Sequence, residues 1–175
     1  MLKEKIEALG FSNISEINVS DITFEPELID LCKQNHCGNY GKCYTCPPLV
    51  GETDVLVEKA KTFEKAIIFQ KIYPLEDSFD IEGMGAASKD FKELVQAVNE
   101  MCSADRENKL VLSAGGCRIC ERCGAIDGVP CRFPDKALAS LESYGMNVSK
   151  LAGACGMKYI NGQNTVTYFG GVLYR

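Results

Sequence analysis

A chain of 175 residues that is 46% apolar carries enough hydrophobic material to bury the core of one domain, spanning 1–175. Its formal charge of −5 and pI near 5.0 leave no basic footprint for phosphate backbones, which argues against nucleic acid, and no run approaches the roughly eighteen consecutive apolar residues of a membrane span. Ten cysteines beside one histidine and no tryptophan direct attention to thiolate chemistry and away from histidine-based hydrolysis or His-rich zinc sites.

In chain order, Leu2, Ile6 and Leu9 mark a short helix ended by Gly10, and loose alternation over 14–24 suggests a strand or extended entry. Pro26 to Cys32 has room for a helical turn or two. The segment 32–48 that follows is rich in cysteine, and Gly38, Gly41, Pro47 and Pro48 discourage regular structure there. Val55, Leu56, Ala60 and Phe63 repeat at helical spacing, and K-A-I-I-F-Q-K-I-Y then reads as a strand.

Residues 86–102 form the clearest amphipathic helix, with Phe91, Leu94, Val95, Val98, Met101 and Cys102 on one stripe. The apolar run 109–113 predicts a strand inside the sheet that feeds a second cysteine loop, 115–134. Pro134 and Asp135 predict a helix reaching Tyr144, stopped by Gly145, whose N-terminal end would face an anionic metal centre. A helical turn at 149–154 and a strand, T-V-T-Y-F-G-G-V-L-Y, complete the pattern. The order of elements predicts an α/β or α+β fold, a mixed sheet with flanking helices and two cysteine-rich metal-binding loops.

Cys117, Cys120, Cys123 and Cys131 lie in G-G-C-R-I-C-E-R-C-G-A-I-D-G-V-P-C-R-F-P. Three thiolates at every third position suit one face of a 4Fe-4S cluster, and the interval to Cys131 is long enough for the chain to return with a fourth. Zinc is the alternative, but it draws its ligands as two separate pairs, and these overlapping knuckles share a middle cysteine. A structural metal knot without redox chemistry uses the same residues. Glycines 115, 116 and 124 would let backbone amides approach cluster sulfides.

Cys32, Cys37, Cys43 and Cys46, spaced x4, x5 and x2, are candidate ligands for a second cluster or a zinc ion. His36 is an alternative ligand, although a solvent-facing loop histidine is the simpler reading. Tyr40 and Tyr44 either shield this loop from water or pack ordinarily. Cys102 and Cys155 read as small buried hydrophobes. The opening M-L-K-E-K-I-E-A-L-G has no apolar signal core, so the expected location is cytoplasmic and the expected cysteines are unpaired.

The pattern C-x4-C-G-N-Y-G-K-x-Y-x-C-P-P from Cys32 to Pro48, the C-R-I-C-E-R-C and P-C-R-F-P segments from Cys117 to Pro134, and S-L-E-S-Y-G-M-N-V at 140–148 resemble a widespread prokaryotic family, the domain of unknown function 2284. That resemblance spans most of the chain and implies metal or iron-sulfur binding. The expected function is a 4Fe-4S protein that passes single electrons to or from a protein partner, which an acidic surface would dock by a basic face. A reductase or redox-activator subunit with a substrate-accessible cluster is the second expectation, and a zinc-stabilised interaction module the third.

Overall fold

A computed structural model describes residues 1–175. Ten elements run α1 (Leu2–Glu7), β1 (Asn13–Asn18), α2 (Ile29–Lys33), α3 (Thr53–Lys61), β2 (Lys65–Pro74), α4 (Ile81–Met101), β3 (Lys109–Leu112), α5 (Gly124–Asp127), α6 (Val148–Ala154) and β4 (Thr165–Tyr174), with short 3-10 turns between them. The strands form one sheet in the order β1-β2-β4-β3. Every strand pair is antiparallel, so the fold is α+β and not the mixed sheet expected. The reason is positional. The β2–α4–β3 connection sets β2 and β3 parallel to each other, but it leaves a gap between them, and β4 fills it from the far end of the chain.

β2 and β4 pair over ten residues and make the middle of the sheet. Ala66 to Gln70 are all buried, as a strand covered on both faces requires. Side-chain alternation separates two cores. Ile67, Phe69, Val111 and Val172 pack under α1 and α4 with Ile6, Phe91, Val95, Val98 and Cys102. Ala66, Ile68, Leu112, Phe169 and Leu173 face α3, α6 and the 139–148 segment. The expected core positions of Cys102 and Cys155 hold, the first buried and the second half-buried against the α3 side.

Three local readings need correction. Strand β3 lies at the sheet edge, not inside it, though it does lead straight into the second cysteine loop. Helix α4 begins at Ile81, earlier than residue 86, because the Asp80 carboxylate accepts from Gly83 N at 2.8 Å and caps it. No helix spans 135–144, so none points its N-terminus at the cysteines. After a turn at 134–136, residues 139–141 pair with the end of β3: Ser113 N donates to Ala139 O at 2.8 Å and Leu141 N to Ser113 O at 3.1 Å. Pairing with an open sheet edge outweighs local helix signals here. Only a 3-10 turn, Glu142–Tyr144, remains, ended by Gly145 at φ 72° as its sequence position predicts.

The α4-side core centres on Phe91, fully buried among Phe11, Phe69 and Tyr168, with ring centroids 5.5 to 6.4 Å away. Phe91→Ala is expected to cost about 3–5 kcal/mol, read as a lower urea midpoint at unchanged slope.

Candidate metal centre

The first cysteine loop leaves α2 at Cys32 and folds by its own turns. Asn35 N donates to Cys32 O at 3.0 Å, Gly38 N to Asn35 O at 3.1 Å, and Gly41 N to Pro47 O at 2.9 Å, so the loop closes on itself before α3. The Asn35 side chain accepts from Tyr40 N at 3.1 Å.

The second loop is held at both ends by one face of α4. Lys92, Gln96 and Asn99 recur at i, i+4 and i+7 and therefore project from the same side of the helix. Lys92 Nζ donates to Gly116 O, just before Cys117. Gln96 Nε2 donates to Lys136 O at 2.7 Å and Asn99 Nδ2 to Asp135 O at 2.9 Å, just beyond Cys131. Between these anchors the chain turns through α5. Val129 N donates to Gly124 O at 3.0 Å, and a Cβ on Gly124 would lie 2.9 Å from Val129 O, so glycine is needed for this close return. Arg122 grips Asp127 through two nitrogens at 2.8 to 3.2 Å.

The two loops clasp each other. Cys117 N donates to Thr45 Oγ1 at 3.1 Å, and Cys43 Sγ lies 3.3 Å from that oxygen and 3.9 Å from Cys117 O. Tyr44 Oη donates to Val129 O at 2.5 Å. A Cβ on Gly116 would sit 3.0 Å from Asn39 Nδ2 and 3.3 Å from Cys46 Sγ, so the glycine before Cys117 brings the loops together. Gly116 and Gly124, expected to let backbone amides approach cluster sulfides, also serve chain packing.

This clasp sorts the sulfurs. Cys117, Cys120, Cys123 and Cys131 line one small cavity, and Cys43 lines it with them. Cys32, Cys37 and Cys46 line a second cavity of about 410 Å³ with Tyr40 and Glu142. Cys43 thus lines a different cavity from Cys32, Cys37 and Cys46, with which its spacing grouped it, although Cys46 remains beside it. His36 is exposed, its Nε2 beside Gln34 Oε1 at 3.0 Å, and it lines neither cavity. None of the ten cysteines is in a disulfide.

The family model described as "Predicted metal-binding protein (DUF2284)" matches residues 15–174. The chain belongs to that family. No curated protein matches it. Among solved structures, it is similar to a crystal structure of epoxyqueuosine reductase with an epoxyqueuosine-modified tRNA-Tyr stem loop, at 12% identity and a TM-score of 0.39. The match covers 98% of this chain and 44% of that one, so the chain spans less than half the length of that enzyme, and a similarity of this strength bears on neither fold nor chemistry.

Donor chemistry of this family member fits a thiophilic metal group. The first cavity presents sulfur from five cysteines and no carboxylate or imidazole. The space these residues enclose is only about 20 Å³, and no three His, Cys, Asp or Glu side chains converge as a single-ion site. It is the ligand set, not a preformed void, that matches the group.

Charge within the clasp is uneven. A hydrogen bond with the Cys46 thiol holds Cys43 well below the ordinary thiol range, at about 4, and the same bond together with burial drives Cys46 up. Thr45 Oγ1, with one proton, accepts from Cys117 N and has that proton to donate to the Cys43 thiolate. Burial raises the pKa values of Cys32 and Cys117. Burial lowers that of Lys92, a depression that Arg118 deepens and the thiolates of Cys117, Cys43 and Cys46 oppose. Glu142 is exposed where it lines the second cavity, and desolvation by the surrounding protein raises its carboxyl pKa.

Lys92, Gln96, Asn99, Thr45 and Glu142 escaped the sequence reading. The α4 residues left one signal: three polar side chains at helical spacing beside an apolar stripe. Thr45 and Glu142 left none, since Thr45 meets Cys117, 72 residues along the chain, and Glu142 shares its cavity with the distant first cysteine loop.

Two substitutions test this framework. Asn99→Ala, which leaves Arg106 Nη1 as the remaining donor to the Asp135 carbonyl, is expected to cost about 1 kcal/mol and to speed amide exchange across 131–137. Gly124→Ala is expected to push Val129 away and reduce metal retained by the second loop, measured by elemental analysis of purified protein, while the helical circular dichroism stays unchanged.

Proposed function

We propose that Cys117, Cys120, Cys123 and Cys131 hold a 4Fe-4S cluster and that the chain relays single electrons to or from a protein partner in a reducing, cytoplasmic setting. The observation that carries this reading is the shared cavity of those four sulfurs, reached from a C-x2-C-x2-C run whose middle cysteine rules out division into two zinc knuckles. When bound, the cluster supplies reversible one-electron chemistry that no side chain here provides. The protein's part is to fix the ligands and shield them. The α4 clamp sets both ends of the loop, Gly124 returns Cys131 toward the other three, and Tyr44 ties the loop to its neighbour. Between these anchors the one-turn α5 is the only regular element, which fits a loop that metal binding completes. No helix of the chain is long and apolar enough to cross a membrane. The net charge of −5 suits docking to a basic face of the partner.

One arrangement favours a second reading. With Cys43 turned toward the other cavity, Cys32, Cys37 and Cys46 supply three thiols at the first loop. A second cluster held by three cysteines leaves one iron position for a substrate or for Glu142, which supports a reductase or activator role.

Anaerobic purification is expected to give brown protein with equimolar iron and acid-labile sulfide, about four of each per cluster, and an electron paramagnetic resonance signal on reduction. Cys120→Ser or Cys123→Ser is expected to remove one centre. Cys43→Ser is expected to spare iron at the first loop under the three-cysteine reading. Colourless protein with stoichiometric zinc and no sulfide rules out the cluster.

A further inference from the structure

A cavity of about 780 Å³ is larger than either cysteine cavity and distinct from both. It lies between α4 and the start of the second loop, and Cys117 is part of its wall. Its size is that of a small-molecule site.

Its charge runs against that of the chain. Lys89, Lys92, Arg118 and Lys136 line it, and Glu93 is the one acidic residue that does, although the whole protein carries −5. None of the four cations joins an ion pair: the eight in the structure involve other residues. Lys92 is the only one of them whose charged group donates a hydrogen bond within the protein, to Gly116 O. Like charges gathered in a cleft repel one another and focus a positive potential there. An anion that binds them removes that repulsion.

Beside Ser88, Gln96 and Ser113 the wall has an apolar portion. Met84 and Leu138 line it, and Ile81, with 80% of its surface exposed, stands at the first turn of α4 beside it. A free inorganic anion would leave that surface wet, whereas a molecule with an apolar body would cover it.

We propose that this cavity binds a small organic anion, with a carboxylate, sulfonate or phosphate group held by Lys89, Arg118 and Lys136 and an apolar body against Met84, Leu138 and Ile81. Since Cys117 belongs to the same wall, the bound molecule lies beside the second cysteine loop. The assignment rests on the cavity's shape and charge and is independent of which metal the sulfurs hold.

The test is calorimetric titration of the anaerobically isolated, metal-loaded protein with naphthalene-2-sulfonate and with its neutral counterpart naphthalene-2-sulfonamide. One sulfonate is expected to bind per chain, at least about tenfold more tightly than the sulfonamide, as charge-assisted hydrogen bonds require. Raising the salt from about 50 to about 500 mM is expected to weaken the sulfonate alone. Lys89→Gln with Arg118→Gln is expected to abolish the preference, and the single, exposed Lys136→Gln to reduce it. Lys61→Gln with Lys65→Gln, which do not line this cavity, is expected to preserve it. Equal affinity for the two probes, or a preference that survives in the cavity variants, overturns the proposal. Iron, sulfide and zinc contents of the same samples are measured separately, so loss of the cluster reading and loss of the anion site give different results.

Discussion

Three polar side chains on one face of α4 hold carbonyls at both ends of the second cysteine loop, and the arrangement of sulfurs follows from that constraint. Lys92 reaches the residue before Cys117, while Gln96 and Asn99 reach the two that precede Ala137. A loop of some twenty residues with one short helix has little cohesion of its own. Fixed to a helix whose other face is buried under the sheet, it has two immobile ends, and Gly124 then determines how sharply it can return.

The first loop is built differently. It closes through its own turns and then leans on the second through Thr45, Tyr44 and Gly116. That contact puts Cys43 in the wall of one cavity and Cys46 in the wall of the other, although only two residues separate them, and each thiol perturbs the other. The two sulfur-lined cavities are therefore neighbours, with the Cys43–Cys46 pair between them. A change of protonation or ligation at one member alters the charge felt by the other, because the two thiols perturb one another and Cys43 is buried.

Electrostatics divide the molecule into regions of opposite sign. The overall excess of acidic residues lies elsewhere, while the cleft beside Cys117 gathers cations with one carboxylate among them. Lys92 belongs to both the cleft and the cavity of Cys32, Cys37 and Cys46, so the same ammonium that fixes the loop also contributes to the field on each side.

The existence of most elements was legible in sequence, since β2, α4 and β4 announce themselves by period and by β-branched content, and the cysteine spacings marked both loops and their family. The α+β alternative held. What sequence could not disclose depends on residues far apart in the chain. Edge pairing by 139–141 replaced the helix that Pro134 and Asp135 suggested, and insertion of β4 moved β3 to the edge. In the same way, local spacing grouped Cys43 with Cys32, Cys37 and Cys46, and only the contact with Thr45 and Cys117 shows that it also lines the cavity of the other set. Spacing along a chain determines which thiols are available to a metal, because it is a local property. Which thiols share a cavity is decided by how two loops pack, and that energy exists only once the sheet and α4 have brought them together.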